Sequence, residues 1–301
     1  MTTLLVRSSG PLTTVQDRGR VGLAHLGVAR AGALDAPAAA LANRLVGNGP
    51  DAAVLETTLG GLAVVASDGC WVALTGAPAP LEVDGARRGH GRPEWVPSGA
   101  LLRVGTPRTG VRSYLAVAGG IDVAPVLGSR STDTLAGVGP PRVEDGVELP
   151  VGTPFRPPSP VDTPRPPAPG PLRVWPGPRA DWFAPDVLDR LGRTAYTVLA
   201  ESNRIGLRLD GPPLARVREG ELASEGMVLG AVQVPPDGRP VVFLADHPPT
   251  GGYPVVAVVD PRDLWQCAQL RPGESVRLTV PAGSPGSPGS PGSPGAPAAT
   301  G

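Results

Sequence analysis

Short apolar runs separated by glycine and proline are the feature that most restricts how this chain can fold. Its 301 residues include 42 glycines and 40 prolines, and its apolar residues come in brief runs bounded by these two types or by aspartate. Glycine and proline interrupt helices, whereas brief apolar or alternating runs between turn residues are typical of strands. The sequence therefore predicts a mainly β protein with a few short helices.

The strand pattern occurs on both sides of a proline-rich stretch. The predicted strands are residues 4–7, 52–57, 62–66, 71–75, 101–105 and 114–118, and then 172–175, 197–200, 228–234, 241–245, 255–259 and 276–280. Helices are predicted at 38–46, where Asp35 is a suitable N-cap and Pro37 lies in the first turn, and at 185–191 and 261–270. Strands do not alternate with helices, which argues against a Rossmann or TIM arrangement and favours two β-barrels or sandwiches.

Proline also predicts the division into domains. Eight of the fifteen residues 157–171 are proline, a composition typical of an extended linker. We therefore expect a first β-barrel subdomain at 1–155, a linker at 156–171 and a second barrel at 172–280. Residues 281–301 repeat glycine, serine and proline and offer little apolar area to bury, so we expect a disordered tail there.

All 27 basic residues are arginine, and this excludes several classes of enzyme. A Schiff base, a phosphate-binding P-loop, a Ser-x-x-Lys acylase and a biotinylated lysine each require a lysine. Since the acidic residues also number 27, the formal net charge is zero, and no basic surface for nucleic acid or anionic lipid is predicted. No apolar run reaches the length of a membrane helix, so we expect a soluble, cytoplasmic protein without nucleic-acid or membrane partners.

Cysteine and histidine provide no metal motif. Cys70 and Cys267 both lie in apolar surroundings and are predicted to be core residues. His25, His90 and His247 have no histidine or cysteine partner at zinc-ligand spacing, so no metal site is predicted.

The densest combination of polar residues and glycine follows a very apolar predicted strand, at residues 244–254. Asp246 and His247 at a strand end can accept a proton and orient the acceptor. Gly251 and Gly252 can present backbone N–H groups to an anion, and Tyr253 can donate a hydrogen bond. The alternative is a glycine-rich barrel turn with a solvent-facing histidine.

Three further clusters have both a functional and a structural interpretation. In residues 201–209, Asn203 and Arg204 can bind a carboxylate or phosphate, or they close a loop with surface ion pairs. In residues 16–20, an aspartate between arginines favours an internal salt-bridge network. Residues 119–122 and 127–132 offer Arg130 and backbone amides to an anion, or form a loop between barrel strands.

These sequence segments, taken in their order along the chain, resemble one protein family. It contains the C subunit of 5-oxoprolinase, allophanate hydrolase subunit 2 and the second half of the carboxyltransferase domain of urea carboxylase. The resemblance rests on residues 14–22, 27–28, 32–35, 42–48, 56–58, 74–77, 114–121, 127–132, 202–206, 225–226, 233–238 and 246–253. It spans about residues 4–280 without the linker. It implies two cyclophilin-like β-barrel subdomains.

The polar clusters described above supply the candidate active site for a protein of this kind. The candidate catalytic residues are Asp246, His247, Thr250 and Tyr253, and the candidate substrate-binding residues are Arg130, Ser131, Ser202, Asn203, Arg204, Gln233, Gly251 and Gly252. We expect the 246–253 turn to face the 202–206 loop across one cleft, with Arg130 reaching in from the first barrel. Two positions depart from the family pattern: Val255 stands where a lysine is frequent, and Pro249 precedes Thr250 where Thr-Thr is common.

Three functions are compatible with the resemblance. The favoured one is membership of an ATP-dependent 5-oxoprolinase that opens 5-oxoproline to glutamate, active with partners similar to the A and B subunits of that enzyme. The second is a biotin-dependent carboxyltransferase or allophanate hydrolase subunit 2 acting on a urea-like amide, with biotin and its carrier on other chains. The third is a non-catalytic regulator that pairs with a kinase-inhibiting protein.

Overall fold

Strands dominate the computed structural model, which describes residues 2–159, 168–220 and 222–281. The first part of the chain forms β1 (Thr3–Ser9), β2 (Leu12–Gln16), α1 (Ala36–Leu45), β3 (Val54–Thr58), β4 (Leu62–Ala66), β5 (Cys70–Gly76), β6 (Leu81–Val83), β7 (Ala86–Arg88), β8 (Pro93–Val96), β9 (Leu101–Val104), β10 (Arg112–Val117) and β11 (Glu148–Pro150).

The second part begins after the proline-rich stretch. It forms β12 (Leu172–Pro176), α2 (Val187–Arg193), β13 (Ala195–Val198), β14 (Gly206–Asp210), β15 (Glu225–Gly226), β16 (Ala231–Gln233), β17 (Val241–Phe243), β18 (Thr250–Gly251), β19 (Val255–Val259), α3 (Leu264–Cys267) and β20 (Ser275–Thr279). Two short 3₁₀ helices, Ala24–Leu26 and Ala180–Trp182, complete the described elements.

Two sheets build the first part around a shared apolar core. The strand orders are β11-β1-β4-β9-β6-β7 and β2-β3-β10-β5-β8. Leu4 and Leu102 from the first sheet belong to the same buried cluster as Leu55 and Leu115 from the second. The strand β10 is buried along its whole length, because helix α1 packs on the other side of its sheet through Ala42. A strand covered on both faces explains the continuous apolar run that the sequence shows there.

Helix α1 begins where the sequence predicts. The Asp35 side chain accepts a hydrogen bond from the Ala38 backbone N–H at 3.0 Å, as an N-cap does, and Pro37 lies in the first turn. The backbone N–H of Asp35 donates to the Tyr114 hydroxyl at 2.7 Å, and that of Leu34 donates to Glu56 at 3.0 Å. The entry to the helix is therefore attached to two central strands, β3 and β10.

The second part is a closed barrel with the strand order β12-β19-β16-β17-β14-β13-β20. The barrel closes through a parallel pairing of β12 with β20, in which Leu172 lies opposite Leu278. Its interior is filled by aliphatic side chains such as Leu207, Val242 and Val256, with α2 packed against β20. Closure removes the exposed edges that an open sheet would leave.

The prediction of a mainly β fold with β-barrel architecture and a few short helices is confirmed. Each predicted strand contains or overlaps an observed one, and the three predicted helices correspond to α1, α2 and α3. Helix α3 is shorter than predicted, since it spans only Leu264–Cys267 of the predicted 261–270. The sequence analysis missed eight strands: β2, β6, β7, β8, β11, β14, β15 and β18. Six of them have four residues or fewer, and β2 and β14 each contain only two apolar residues.

The two parts are in direct contact. Gln269, just after α3, accepts hydrogen bonds from the backbone N–H groups of Val111 and Arg112 and donates to Asp35 at 2.8 Å. Arg271 donates to the Gly110 carbonyl at 2.7 Å.

Cys70 and Cys267 are buried free thiols, and burial raises the pKa of Cys70 to about 11 and that of Cys267 to about 12.

The remaining predictions concern membrane helices, the tail and the linker. Within the described ranges, no helix has the length and apolar character needed to cross a bilayer. The predicted tail lies outside the described residues from residue 282 onward, as do residues 160–167 of the predicted linker. The domain boundaries stay a prediction.

Candidate functional site

The barrel brings Arg204 and Asp246 together. Strands β14 and β17 pair antiparallel, and the pairing continues beyond both strands. The Leu244 N–H donates to the Ile205 carbonyl at 2.9 Å, and the Asp246 N–H donates to the Arg204 carbonyl at 3.1 Å. The two loops therefore lie directly side by side, where the sequence analysis placed a cleft between them.

Arg204 is the centre of a buried polar junction between the two parts. Its Nε and Nη2 donate to the two oxygens of Asp246, each at 2.9 Å. Its Nη2 also donates to the Gly32 carbonyl at 2.8 Å, and its Nη1 donates to Glu56. Burial disfavours the charge, but Glu56 and Asp246 outweigh this and raise the pKa of Arg204 above its ordinary value. Protein groups thus occupy the guanidinium that the sequence analysis assigned to the substrate.

Asp246 is held from both parts of the chain. Besides Arg204, the backbone N–H and the hydroxyl of Thr134 donate to its Oδ2, at 2.9 and 2.7 Å. Next to it, the Ala31 N–H donates to the Ala245 carbonyl at 3.0 Å. A carboxylate with four donors is an anchoring group in this conformation. The sequence predicted a catalytic role for it.

The half-buried carboxylate of Asp17 organises the 127–132 loop. It accepts hydrogen bonds from the hydroxyls of Ser129 and Ser131, both at 2.6 Å, and from the backbone N–H groups of Gly19 and Arg130. Burial opposes ionisation, but these hydrogen bonds outweigh it and lower the pKa of Asp17. Ser131, a predicted substrate-binding residue, therefore holds a loop together here.

The arginines of this region contact protein groups. The half-exposed Arg130 pairs with Asp122 at 2.7 Å and donates to the Val123 carbonyl, so Thr134 and not Arg130 reaches Asp246 from the first part. Arg20 donates to the carbonyls of Val126 and Ser131, and its buried Nη1 has no partner in the part of the chain that the structure describes. The expected salt-bridge network around Asp17 is instead a set of serine and backbone hydrogen bonds.

His247 lies against the barrel. Its ring stacks on Phe243, with centroids 5.6 Å apart and planes 5° from parallel, and its exposed fraction is only 6%. The solvent-facing alternative therefore does not describe it. Its Nδ1 lies 2.8 Å from the Pro248 carbonyl, which can only accept, so Nδ1 carries the hydrogen and Nε2 is the basic nitrogen. Burial, the largest influence, lowers the pKa of His247 and favours this neutral form.

The glycine turn follows this histidine and belongs to a two-stranded antiparallel sheet. Thr250–Gly251 pairs with Glu225–Gly226, and Gln233 at the end of β16 donates to the Tyr253 carbonyl at 3.1 Å. A Cβ at Gly251 would lie 2.8 Å from Nε2 of Gln233, so glycine permits this close approach. The Tyr253 side chain is 44% exposed, and Gly252 and Thr250 are also on the surface. These residues form the accessible part of the candidate site.

Ser202 and Asn203 stabilise the neighbouring loop. The Asn203 side-chain oxygen accepts from the backbone N–H groups of Ile205 and Gly206, and the Ser202 hydroxyl accepts from the Arg208 backbone N–H at 3.0 Å. These bonds shape the loop that delivers Arg204 to the junction. The contacts of Ser202 and Asn203 therefore agree with the structural interpretation of residues 201–209, in which these residues close a loop.

Several important residues were missed by the sequence analysis. Glu56 and Thr134 join the two parts, and Arg216 lies over the Tyr253 ring with its guanidinium carbon 5.7 Å from the centroid. Glu56 belongs to one of the strings that carry the family resemblance, which was the available signal. For Arg216 the sequence contains no local motif.

Over the described ranges, no three His, Cys, Asp or Glu side chains are grouped to hold a metal ion.

Comparison with known proteins agrees with this architecture. The family model described as carboxyltransferase domain, subdomain A and B, matches residues 26–280. The chain is 40% identical over 277 residues to the C subunit of 5-oxoprolinase from Escherichia coli (strain K12), covering 91% of this chain and 89% of that protein. It is 33% identical over 305 residues to urea amidolyase of Saccharomyces cerevisiae, covering 92% of this chain and 16% of that protein.

A solved structure shows the same arrangement. The crystal structure of TTHA0988 superimposes with a TM-score of 0.84 at 40% sequence identity over 93% of this chain. The chain spans only 56% of that protein. The matched region in TTHA0988 and in the urea amidolyase is therefore one part of a longer polypeptide.

Proposed function

The chain belongs to the family of the carboxyltransferase domain, subdomain A and B, and on that basis we propose that it is the C subunit of a 5-oxoprolinase. One observation carries this proposal. The 40% identity with the Escherichia coli C subunit extends over 91% of this chain and 89% of that protein. The name of that relative also supports partners that correspond to other subunits of the same enzyme, of the A and B type.

The proposed reaction opens a lactam that is stable toward water. Transfer of the γ-phosphoryl group of ATP to the amide carbonyl oxygen of 5-oxoproline makes that oxygen a good leaving group. Water then adds to the carbonyl carbon, the ring C–N bond breaks and the nitrogen takes a proton, which leaves a γ-acyl phosphate. A second water hydrolyses this acyl phosphate and releases phosphate. The sum is 5-oxoproline, ATP and two waters giving glutamate, ADP and phosphate.

The 246–253 turn provides the groups that such chemistry needs. Neutral His247, with Nδ1 donating to the Pro248 carbonyl, has Nε2 as a base for the attacking water. The backbone of Gly251 and Gly252 is the candidate donor toward the negative charge that develops on the carbonyl oxygen. Thr250 and Tyr253 place hydroxyls on the same turn. The Arg204–Asp246 pair anchors this turn to the first part of the chain and so fixes its position.

ATP is a co-substrate of the proposed enzyme, and this chain is poorly equipped to bind it alone. A P-loop requires a lysine, and the sequence contains none. We propose that a partner protein supplies most of the triphosphate site, so that the chain is active only in the complex.

A carboxyltransferase is the second candidate, because the chain is also 33% identical to urea amidolyase over 92% of its length. In that case biotin would arrive on another chain, since no lysine is present here to carry it. Val255 stands where the family often has a lysine, which is a reason to place this candidate second.

The deciding experiment is an assay of the assembled complex. We expect the chain, co-purified with its partner proteins, to release glutamate from 5-oxoproline only when ATP is present. A biotinylated protein in the purified complex without glutamate release would favour the carboxyltransferase. A folded, assembled complex with neither signal would favour the non-catalytic regulator.

A further inference from the structure

The substrate of the proposed function carries a carboxylate, and the planar guanidinium of arginine is the side chain best matched to that group. This chain can offer arginine but no lysine, and burial lowers the pKa of His247, which disfavours its charged form. Arg204 and Arg130 already bind carboxylates of the protein. Arg20 keeps a free nitrogen, but its side chain is almost wholly buried. None of these three guanidinium groups is available at the accessible turn.

Arg216 differs from them. The residue is only partly buried, and its Nη2 donates to the Val234 carbonyl at 2.7 Å. Its Nε is buried and has no hydrogen-bond partner among the described residues. A buried guanidinium N–H without a partner costs free energy unless another group accepts from it. Among the described residues, no carboxylate forms an ion pair with Arg216.

The position of Arg216 is fixed by the backbone. Arg216 and Phe183 form an isolated antiparallel β-bridge, and the Val217 N–H donates to the Trp182 carbonyl at 2.8 Å. The guanidinium packs over the Tyr253 ring, and the Val234 N–H donates to the Pro254 carbonyl at 3.0 Å. The arginine therefore contacts Val234, just after β16, and Tyr253 of the glycine turn.

A cleft of about 450 Å³ opens beside this arginine, and Arg218, Glu219 and Asp237 also line it. Arg218 pairs with Asp181 at 2.7 Å, and the nearby Glu225 pairs with Arg179. Asp237 accepts from the Arg239 backbone N–H at 3.1 Å. Arg216 is thus the cation in this cleft that remains without a carboxylate among the described residues.

We propose that Arg216 forms an anion subsite next to the 250–253 turn and binds the carboxylate of the lactam substrate. This inference rests on the proposed function. A guanidinium matches a carboxylate in shape, and such charge-assisted bonds are among the stronger ones in proteins. The subsite selects an amide that carries a carboxylate over a neutral amide of the same ring.

The test compares two ligands in the assembled complex. The first is 5-oxoproline, measured by its KM for ATP-dependent glutamate release. The second is 2-pyrrolidinone, the same lactam without the carboxylate, measured by its inhibition constant. In Arg216→Gln we expect the KM for 5-oxoproline to rise roughly ten- to hundredfold and the inhibition constant of 2-pyrrolidinone to stay unchanged. Arg218→Gln changes an arginine of the same cleft and should leave both values unchanged.

Three results would overturn the proposal: an unchanged KM in Arg216→Gln, an equal loss for both ligands, or an equal effect of Arg218→Gln. If Arg216→Gln fails to fold, Arg216→Lys keeps the charge without the planar fork, and we expect it to raise the KM by a smaller factor. A wild-type complex that releases no glutamate would instead reject the proposed function and, with it, the assignment of the carboxylate.

Discussion

Arg204 of the closed barrel donates a hydrogen bond to Glu56 of the first part of the chain, 148 residues away in the sequence, and both side chains are 1% exposed. A second buried arginine, Arg112, lies 3.6 Å from the same carboxylate. Two guanidinium groups from different parts of the chain therefore depend on one glutamate. The contact between the barrel and the sheets is built around this buried charge.

Removing the charge of Glu56 should lower the stability of the protein. We expect Glu56→Gln to lower the free energy of unfolding by about 3–5 kcal/mol, because it leaves Arg204 and Arg112 buried without their shared anion. Urea denaturation of the two proteins measures the difference. Asp122→Asn breaks the half-exposed pair with Arg130 and should cost less than about 1 kcal/mol. Equal losses in the two variants would contradict the special role of the buried junction.

The protonation of Asp17 should appear in acid unfolding. Its pKa is lowered in the folded state, so its contribution to stability is complete above the unfolded pKa of about 3.9 and disappears as the pH falls through the lower folded value. In Asp17→Asn the stability curve should be flatter between about pH 4 and pH 2, and stability at pH 7 should be lower by roughly 2–3 kcal/mol. Asp68→Asn, at an exposed aspartate, is the control and should follow the wild type.

His247 should be required for turnover but not for folding. His247→Asn keeps a side-chain N–H that can donate to the Pro248 carbonyl and removes the basic nitrogen. We expect ATP-dependent glutamate release by the complex to fall by about 10²-fold or more, with the melting temperature within a few degrees of wild type. A variant with the wild-type rate would show that His247 only packs against Phe243.

The two adjacent glycines of the turn should respond differently to a methyl group. In Gly251→Ala the new Cβ would lie 2.8 Å from the Gln233 amide nitrogen and 3.2 Å from Met227, so Gln233 must leave the Tyr253 carbonyl. In Gly252→Ala the nearest atom is 3.5 Å away. We expect kcat/KM to fall about tenfold or more in the first variant because the turn shifts. The second should stay within about twofold, and a larger loss there would indicate that Gly252 itself approaches the substrate closely.

Much of the fold could be predicted because it depends on local patterns. The run at residues 62–66 and the run at 255–259 coincide with β4 and β19, since each is a short apolar segment between turn residues. The helix after Asp35 begins at its predicted cap. Strand β14 was missed because only two of its five residues are apolar, and its assignment depends on pairing with β13 and β17.

The site was predictable in part. The sequence identified the 246–253 turn and the 202–206 loop, and the structure places them in contact through Arg204 and Asp246. The partners of these residues lie far away in the chain: Glu56 is 148 residues from Arg204, and Thr134 is 112 residues from Asp246. A local motif contains no information about such partners, and the same arginine can serve a substrate or a buried carboxylate.

The sequence by itself determined the β class, the start of helix α1, the absence of lysine chemistry and the strings that carry the family resemblance. These follow from backbone propensities, side-chain chemistry and order along the chain, all of which are present before folding. Only the tertiary structure decided which charged groups are neutralised within the protein and which remain available. Arg204 is enclosed by Glu56 and Asp246, whereas Arg216 keeps an unpartnered nitrogen beside a cleft. Packing sets that difference, because burial and distance determine the strength of a charge interaction and neither is encoded locally.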